Sequence, residues 1–145
     1  MMGEALRVAG VLESLGAIAQ YVKAAAATAH LEPAQAYNLR LAVDEIVTNI
    51  ITHGYQEAGL TGEILIWDTC TPESLIIHLE DYGQAYNPHQ WQGEVTPELC
   101  QQPLEQRPLG GLGVYLAMRS VDQFRYARLG DRNHTEFVIF RNSTP

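Results

Sequence analysis

Lysine is nearly missing from this sequence. Eight of its nine basic residues are arginine, and Lys23 is the one lysine. No Gly-Lys-Ser/Thr run exists, which excludes the P-loop, whose lysine reaches the phosphates of a nucleotide. Lys23 sits in an alanine-rich run rather than in a Val-Ala-Ile-Lys strand, so the eukaryotic protein-kinase signature set is excluded as well. Cysteine is scarce too. Cys70 and Cys100 lie 30 apart with no C-x-x-C spacing, the pattern of two plain thiols in a reducing compartment. Long apolar runs are absent: the greasiest stretch, 24–29, is short and alanine-rich, and cannot span a bilayer. The first residues lack a basic stretch followed by an apolar one, so no secretory signal is read. A soluble, cytoplasmic protein is expected.

Positive charge is in deficit. Nine basic residues face 17 acidic ones, for a net charge of −8. Such a surface repels phosphate backbones and anionic membranes, so no nucleic-acid or membrane partner is expected. The five histidines (30, 53, 78, 89 and 134) show no H-E-x-x-H or other metal spacing, and the four serines form no G-x-S-x-G elbow. His78 alternates with apolar neighbours and reads as structural.

What remains is ordinary globular material. At 145 residues and 46% apolar composition, the chain is long enough for one self-sufficient domain over 1–145. Helical spacing runs from Glu13 to about His30 through Leu12, Leu15, Ile18, Ala19 and Val22. A second helix is predicted over about 34–53, after Pro33 and before Gly54, with Leu39, Ala42, Val43, Ile46, Val47 and Ile50 on one face. Residues 63–67 and 75–80 alternate as strands around a Thr71-Pro72-Glu73-Ser74 turn. Residues 82–109 hold Pro88, Pro97, Pro103 and Pro108 and show no period. A helix through Ser120 follows, then strands near 123–128 and 135–141 around a 130–133 turn. This order predicts an α+β, two-layer sandwich with a mixed or antiparallel sheet and helices on one face.

Three features could carry chemistry. Glu45 and Asn49, four apart, share a flank of the second helix with Thr52 and His53 nearby. The pair is either a solvated face or a carboxylate and an amide presented together. Asp81-Tyr82-Gly83 ends a strand, which is either a turn or a buried acceptor with a glycine that lets a ligand near the backbone. Gly110-Gly111-Leu112-Gly113 opens a helix, which is either a hinge or an anion cradle made of orphan N–H groups and the helix dipole. His53, beside Gly54, also fits a helix-terminal histidine.

Taken in order, these elements resemble the GHKL (Bergerat-fold) ATP-binding domains, and within them the stand-alone anti-sigma-factor serine kinases. LAVDEIVTNIITHGY (41–55) is similar to the asparagine-containing helix, DYGQAYNP (81–88) to the first glycine box, and GGLGVYLAMRSVDQFRY (110–126) to the second. SLGAI (14–18) and GDRNHTEFVIF (130–140) fit the stand-alone subgroup. The resemblance implies ATP and Mg²⁺ as ligands, Glu45 as the general base and Asn49 as the Mg²⁺ ligand. It carries nucleotide contacts onto Asn49, His53, Asp81, Gly83, Ala85, Arg107, Gly110, Gly111, Leu112, Gly113 and Thr135, with an ATP lid at about 89–109. Asp81 would accept from the adenine amino group; guanine presents an oxygen there instead. Ala85 stands where many members have a second glycine, and Arg132-Asn133-His134-Thr135 replaces a plain Gly-Thr.

The implied activity is phosphorylation of a protein serine or threonine on an anti-sigma-factor antagonist of STAS fold, with sequestration of a sigma factor and a homodimer as further expectations. A non-catalytic ATP-binding module that sequesters a partner is the alternative. A histidine-kinase catalytic domain would need a phosphoacceptor histidine on a preceding helix pair, and the 44 residues before Glu45 hold only His30.

Overall fold

The computed structural model describes residues 4–85 and 111–141. Five strands form one sheet: β1 (Leu6–Ala9), β2 (Glu63–Cys70), β3 (Ser74–Asp81), β4 (Gln123–Leu129) and β5 (Arg132–Phe140). Their order is β1-β2-β3-β5-β4, and every pairing is antiparallel. The sheet is therefore antiparallel rather than mixed. Among the described residues, three α-helices accompany it: α1 (Leu15–Thr28), α2 (Pro33–Asn49) and α3 (Gly111–Arg119).

Strand alternation divides the sheet into two faces. Ile64, Ile66, Leu75, Ile77, Leu79, Phe137 and Ile139 point to one side and are buried. They form one core with Ile18 and Val22 of α1, Leu39, Ala42, Val43, Ile46 and Val47 of α2, and Val114 and Ala117 of α3. The helices thus cover one face, as the apolar periods of both long helices predict. Truncating a residue such as Leu39 to alanine would cost about 2–5 kcal/mol, because close-packed neighbours collapse only partly into the cavity.

Helix α2 begins where Pro33 predicts. The Glu32 backbone N–H donates to Gln35 Oε1 at 3.0 Å, half of a reciprocal capping box at the N-terminus. Gln35 also donates to the Phe140 carbonyl at 2.9 Å, tying the start of α2 to the end of β5. In the β2–β3 turn, Thr71 Oγ1 accepts from the backbone of Glu73 and Ser74 at 3.2 and 3.0 Å.

Four expectations needed revision. The strand Leu6–Ala9 was not predicted. It is four residues long, and too few alternating positions exist for a period to show. Helix α1 starts at Leu15 behind a 3-10 turn at Leu12–Ser14, which leaves Leu12 exposed. Gly54 does not stop the second helix. The chain widens into a π-helical turn, Ile50–Gln56, that passes straight through it. Strand β5 starts at Arg132, so Arg132 and Asn133 belong to the strand and not to the turn; Gly130, at φ +67°, makes the reversal.

Candidate functional site

The end of α2, the π-helical turn, the end of β3 and the β4–β5 ladder converge on one pocket. Its walls are apolar (Ile46, Ile50, Phe124 and Tyr126), and its polar groups are Asn49, Asp81, Gln84, Asn133 and Thr135. A mostly apolar cleft with a few convergent polar groups is the usual form of a small-molecule site.

Asp81 lies at the centre. It is 1% exposed, and its two oxygens are treated differently. Oδ1 accepts from the Gly83 N–H and from Asn133 Nδ2, both at 2.9 Å. Oδ2 is buried and has no hydrogen-bond partner among the described residues. A buried carboxylate oxygen without a donor is costly, so it marks a place where a ligand donor belongs. Burial pushes the Asp81 carboxyl above the usual aspartate range, against the opposing pull of Asn133, the Gly83 amide and Arg128.

The segment after Asp81 is held from three sides. The Tyr82 N–H donates to Tyr55 Oη at 2.8 Å, and the Gln84 N–H to the Gly54 carbonyl at 2.9 Å. Arg128 donates to the Gly83 carbonyl at 2.9 Å. Gly83 is obligatory here: a Cβ would lie 2.9 Å from the Gly54 carbonyl oxygen and 3.0 Å from Asp81 Oδ1. The π-helical turn therefore has a purpose in the site, since it aims the Gly54 carbonyl at this segment. Such local widenings recur at functional sites.

Glu45 and Asn49 project from the last turns of α2. Asn49 Nδ2 donates to the Glu45 carbonyl at 3.0 Å, which leaves its amide oxygen as the atom it can offer a ligand. An amide oxygen suits a hard cation such as Mg²⁺, which accepts one or two protein oxygens and fills its octahedron with phosphate and water. The Glu45 carboxylate lies against the start of α3: a Cβ on Gly113 would sit 2.5 Å from Glu45 Oε2. Burial, with Asp44 adding to it, raises the Glu45 carboxyl above the usual range. A raised carboxyl near a helix N-terminus is the profile of a group poised to take up a proton.

The structure thus brings Glu45, Asn49, Asp81, Gly83, Gly113 and Thr135 into one region, on elements that span most of the chain. His53 is placed differently: its Nδ1 meets Glu57 at 2.9 Å, one helical turn on, and it does not line the pocket. Ala85 is exposed at the end of the described segment. Gly111 and Leu112 open α3. Arg107, Gly110 and the segment 89–109 lie outside the described residues.

Two contributors went unread in the sequence. Asn133 pairs with Asp81 across β3 and β5, and it also donates to the Gln84 carbonyl at 3.2 Å. Alternation with Thr135, Phe137 and Ile139 would have put it on the core face had the strand been started early enough. Tyr55 bridges the Tyr82 amide and the Glu63 carbonyl, to which it donates at 2.7 Å. Nothing in its spacing announces that.

Fold and site together define an α+β ATPase-type domain, with the pocket at the end of the helix that carries the glutamate and asparagine. The chain belongs to the histidine kinase-like ATPase domain family, whose model matches residues 8–139. Among curated proteins it is similar to the serine-protein kinase RsbW of Bacillus licheniformis, 32% identical over 88 residues, which are 61% of this chain and 54% of that protein. The RsbW of Bacillus mycoides (strain KBAB4) gives the same figures, and that of Bacillus cereus (strain AH187) is 31% identical over the same span. The chain spans about half the length of the curated relatives it matches.

Proposed function

We propose that this protein is an ATP-dependent protein serine/threonine kinase that acts in the cytoplasm as an anti-sigma factor and phosphorylates a STAS-type antagonist. The observation that carries the reading is the buried Oδ2 of Asp81, without a partner among the described residues, in an apolar pocket. A flat apolar base with an exocyclic amino group supplies what that oxygen lacks, and adenine is such a base. The names of the relatives, serine-protein kinases, support transfer to a serine.

The chemistry follows from the residues. The base enters between Ile46, Ile50, Phe124 and Tyr126, and Asp81 selects its amino group. Asn49 would hold Mg²⁺ through its amide oxygen, and the ion would supply charge neutralisation on the phosphates. The start of α3 offers backbone N–H groups to the same phosphates. Glu45 accepts the proton of the attacking serine hydroxyl as the bond from phosphorus to that oxygen forms and the bond to the departing ADP breaks. Positioning and charge stabilisation dominate phosphoryl transfer, and a placed base adds about 10²–10⁴ in rate.

The test is transfer of labelled γ-phosphate to candidate STAS-fold antagonists, by wild type and Glu45→Gln, with ATP binding measured alongside. The kinase reading expects acid-stable phosphoserine or phosphothreonine, lost in the variant while ATP affinity is kept. ATP binding without transfer to any antagonist, and with partner regulation intact in Glu45→Gln, would establish the non-catalytic module instead.

A further inference from the structure

The face of the sheet away from the helices carries a second cluster of chemistry-bearing side chains. His78 on β3 and His134 and Glu136 on β5 converge there, on adjacent strands. His78 Nδ1 lies 3.4 Å from His134 Nε2 and 3.8 Å from Glu136 Oε1, and His134 Nε2 lies 3.6 Å from the same oxygen. The nearest point equidistant from the three atoms, in their plane, lies about 2.1 Å from each. That is the bond length of a zinc ion to imidazole nitrogen and carboxylate oxygen, about 2.0–2.2 Å.

From this triangle we propose a transition-metal site, independent of the nucleotide pocket, in which His78 Nδ1, His134 Nε2 and Glu136 Oε1 bind one Zn²⁺. Two imidazoles and a carboxylate suit a borderline ion such as zinc and do not suit Mg²⁺ or Ca²⁺, which prefer oxygen.

The neighbours of the triangle set the ligands as metal sites require. His78 Nε2 is 3.1 Å from Thr69 Oγ1 on β2, so a proton on Nε2 has an acceptor and Nδ1 is left bare toward the centre. Glu136 Oε2 is taken by Arg125 at 3.2 Å, which leaves Oε1 for the two imidazoles. Trp67 stacks on the His78 ring, with centroids 4.9 Å apart and planes 1° from parallel, and fixes its orientation. The three ligands are part-buried, with side-chain exposures of 12%, 22% and 23%. Three protein donors leave a coordination position for water. Arg132 and Glu80 pair with each other nearby at 3.2 Å and take no part.

The site is tested on tag-free protein without nucleotide, with Mg²⁺ in excess so that binding at Asn49 does not register. Zn²⁺ is titrated in competition with a weak chromophoric chelator. Wild type is expected to take up one equivalent. His134→Ala and Glu136→Gln should each weaken that binding by about 100-fold or more, and Thr69→Val by about 10-fold, given that orienting partners are worth about 10–100-fold in affinity. Glu136→Gln preserves size and keeps the test valid if His134→Ala does not fold; circular dichroism checks both. In a Trp91→Phe background, Cu²⁺ should quench Trp67 emission at one equivalent, and that quenching should vanish in Glu136→Gln. Folded wild type that binds no stoichiometric Zn²⁺, or Zn²⁺ affinity unchanged in both ligand variants, overturns the site and leaves the cluster as packing on the sheet.

Discussion

The carboxylate of Glu45 occupies the space that a side chain on Gly113 would fill: a Cβ there would stand 2.5 Å from Oε2. Two residues 68 positions apart are thus placed edge to edge, and a side chain at 113 would meet the carboxylate rather than backbone. Gly113 sits within α3 and shows no positive φ.

Gly113→Ala follows from that contact. Alanine is favoured over glycine by about 0.5–1 kcal/mol in a helix interior and by less in a first turn, where Gly113 stands. The atom in its way is the far end of a flexible side chain, which can move aside. The variant should therefore fold as stably as wild type or slightly more so. A base displaced by about an ångström costs on the order of 10² in rate. Turnover should fall by about that factor while ATP affinity changes much less. Equal losses in both, with a lowered Tm, would show that Gly113 serves packing and not the placement of Glu45.

Asp81→Asn separates binding from stability. A hydrogen bond to a charged acceptor is worth about 1.5–3 kcal/mol, so ATP affinity should fall by roughly 10- to 100-fold. The new amide can present an N–H to the guanine oxygen, and the preference for ATP over GTP should narrow. Stability should move the other way. The folded carboxyl titrates above its ordinary value of 3.8 because it is buried, so its contribution to folding is fully present below that value and lost as pH rises through the raised pKa. The variant should thus gain Tm over wild type near neutral pH, and the gain should vanish in acid. Denaturation at several pH values reads the sign directly; a Tm deficit that persists across the range would contradict it. Wild-type ATP affinity should decline, on acidification, at a pH above that of an ordinary aspartate.

Much of this site was legible because its parts are local. Glu45 and Asn49 are one helical turn apart, Asp81 and Gly83 share one strand end, and Gly113 opens a helix, so residue type and short spacing reveal them. Asn133 was not legible. It lies 52 residues from Asp81, and only the register of β5 on β3 brings it there. The polar run 130–133 reads as a turn, and where the strand begins decides the face on which Asn133 falls. The π-helical turn was hidden for a similar reason. Gly54 is a stop signal by propensity, yet tertiary bonds at its carbonyl and the burial of Tyr55 override that preference. His78 was read as structural from its alternation on the strand, and no linear motif joins it to His134.

Asn133→Ala tests the hidden contact. The Asn133 amide donates to Asp81 Oδ1 and to the Gly83 and Gln84 carbonyls, the last two at 3.3 and 3.2 Å, and its oxygen accepts from Tyr126 and Arg128. Removing it strands these partners in a buried setting, at a cost of about 1–3 kcal/mol. Denaturant unfolding should show that loss at constant m-value. ATP affinity should drop as well, since Asp81 loses one of the two donors that aim it. A variant as stable as wild type would mean that water replaces the amide without penalty.

Tyr55→Phe probes the support of the pocket without touching the ligand. Gly10 and Gly62 exist as glycines to admit the Tyr55 ring: a Cβ on either would approach its atoms to 2.6 and 2.8 Å. Phenylalanine keeps that packing and removes only the hydroxyl, which donates to the Glu63 carbonyl and accepts from the Tyr82 N–H. Burial raises the Tyr55 phenol to about 12, so it stays protonated and able to make both bonds through the neutral range. The variant should lose about 1–3 kcal/mol of stability through its two unsatisfied partners. Because the freed Tyr82 amide adjoins Asp81 and Gly83, nucleotide affinity should weaken several-fold, while the rate of transfer at saturating ATP stays close to wild type. Hydrogen exchange provides the local check: the Tyr82 amide should exchange faster in the variant, whereas amides in the middle of β3 should keep their protection up to the lowered global stability. A Tyr82 amide as protected as before would show that the Gln84–Gly54 and Arg128–Gly83 bonds hold this segment on their own.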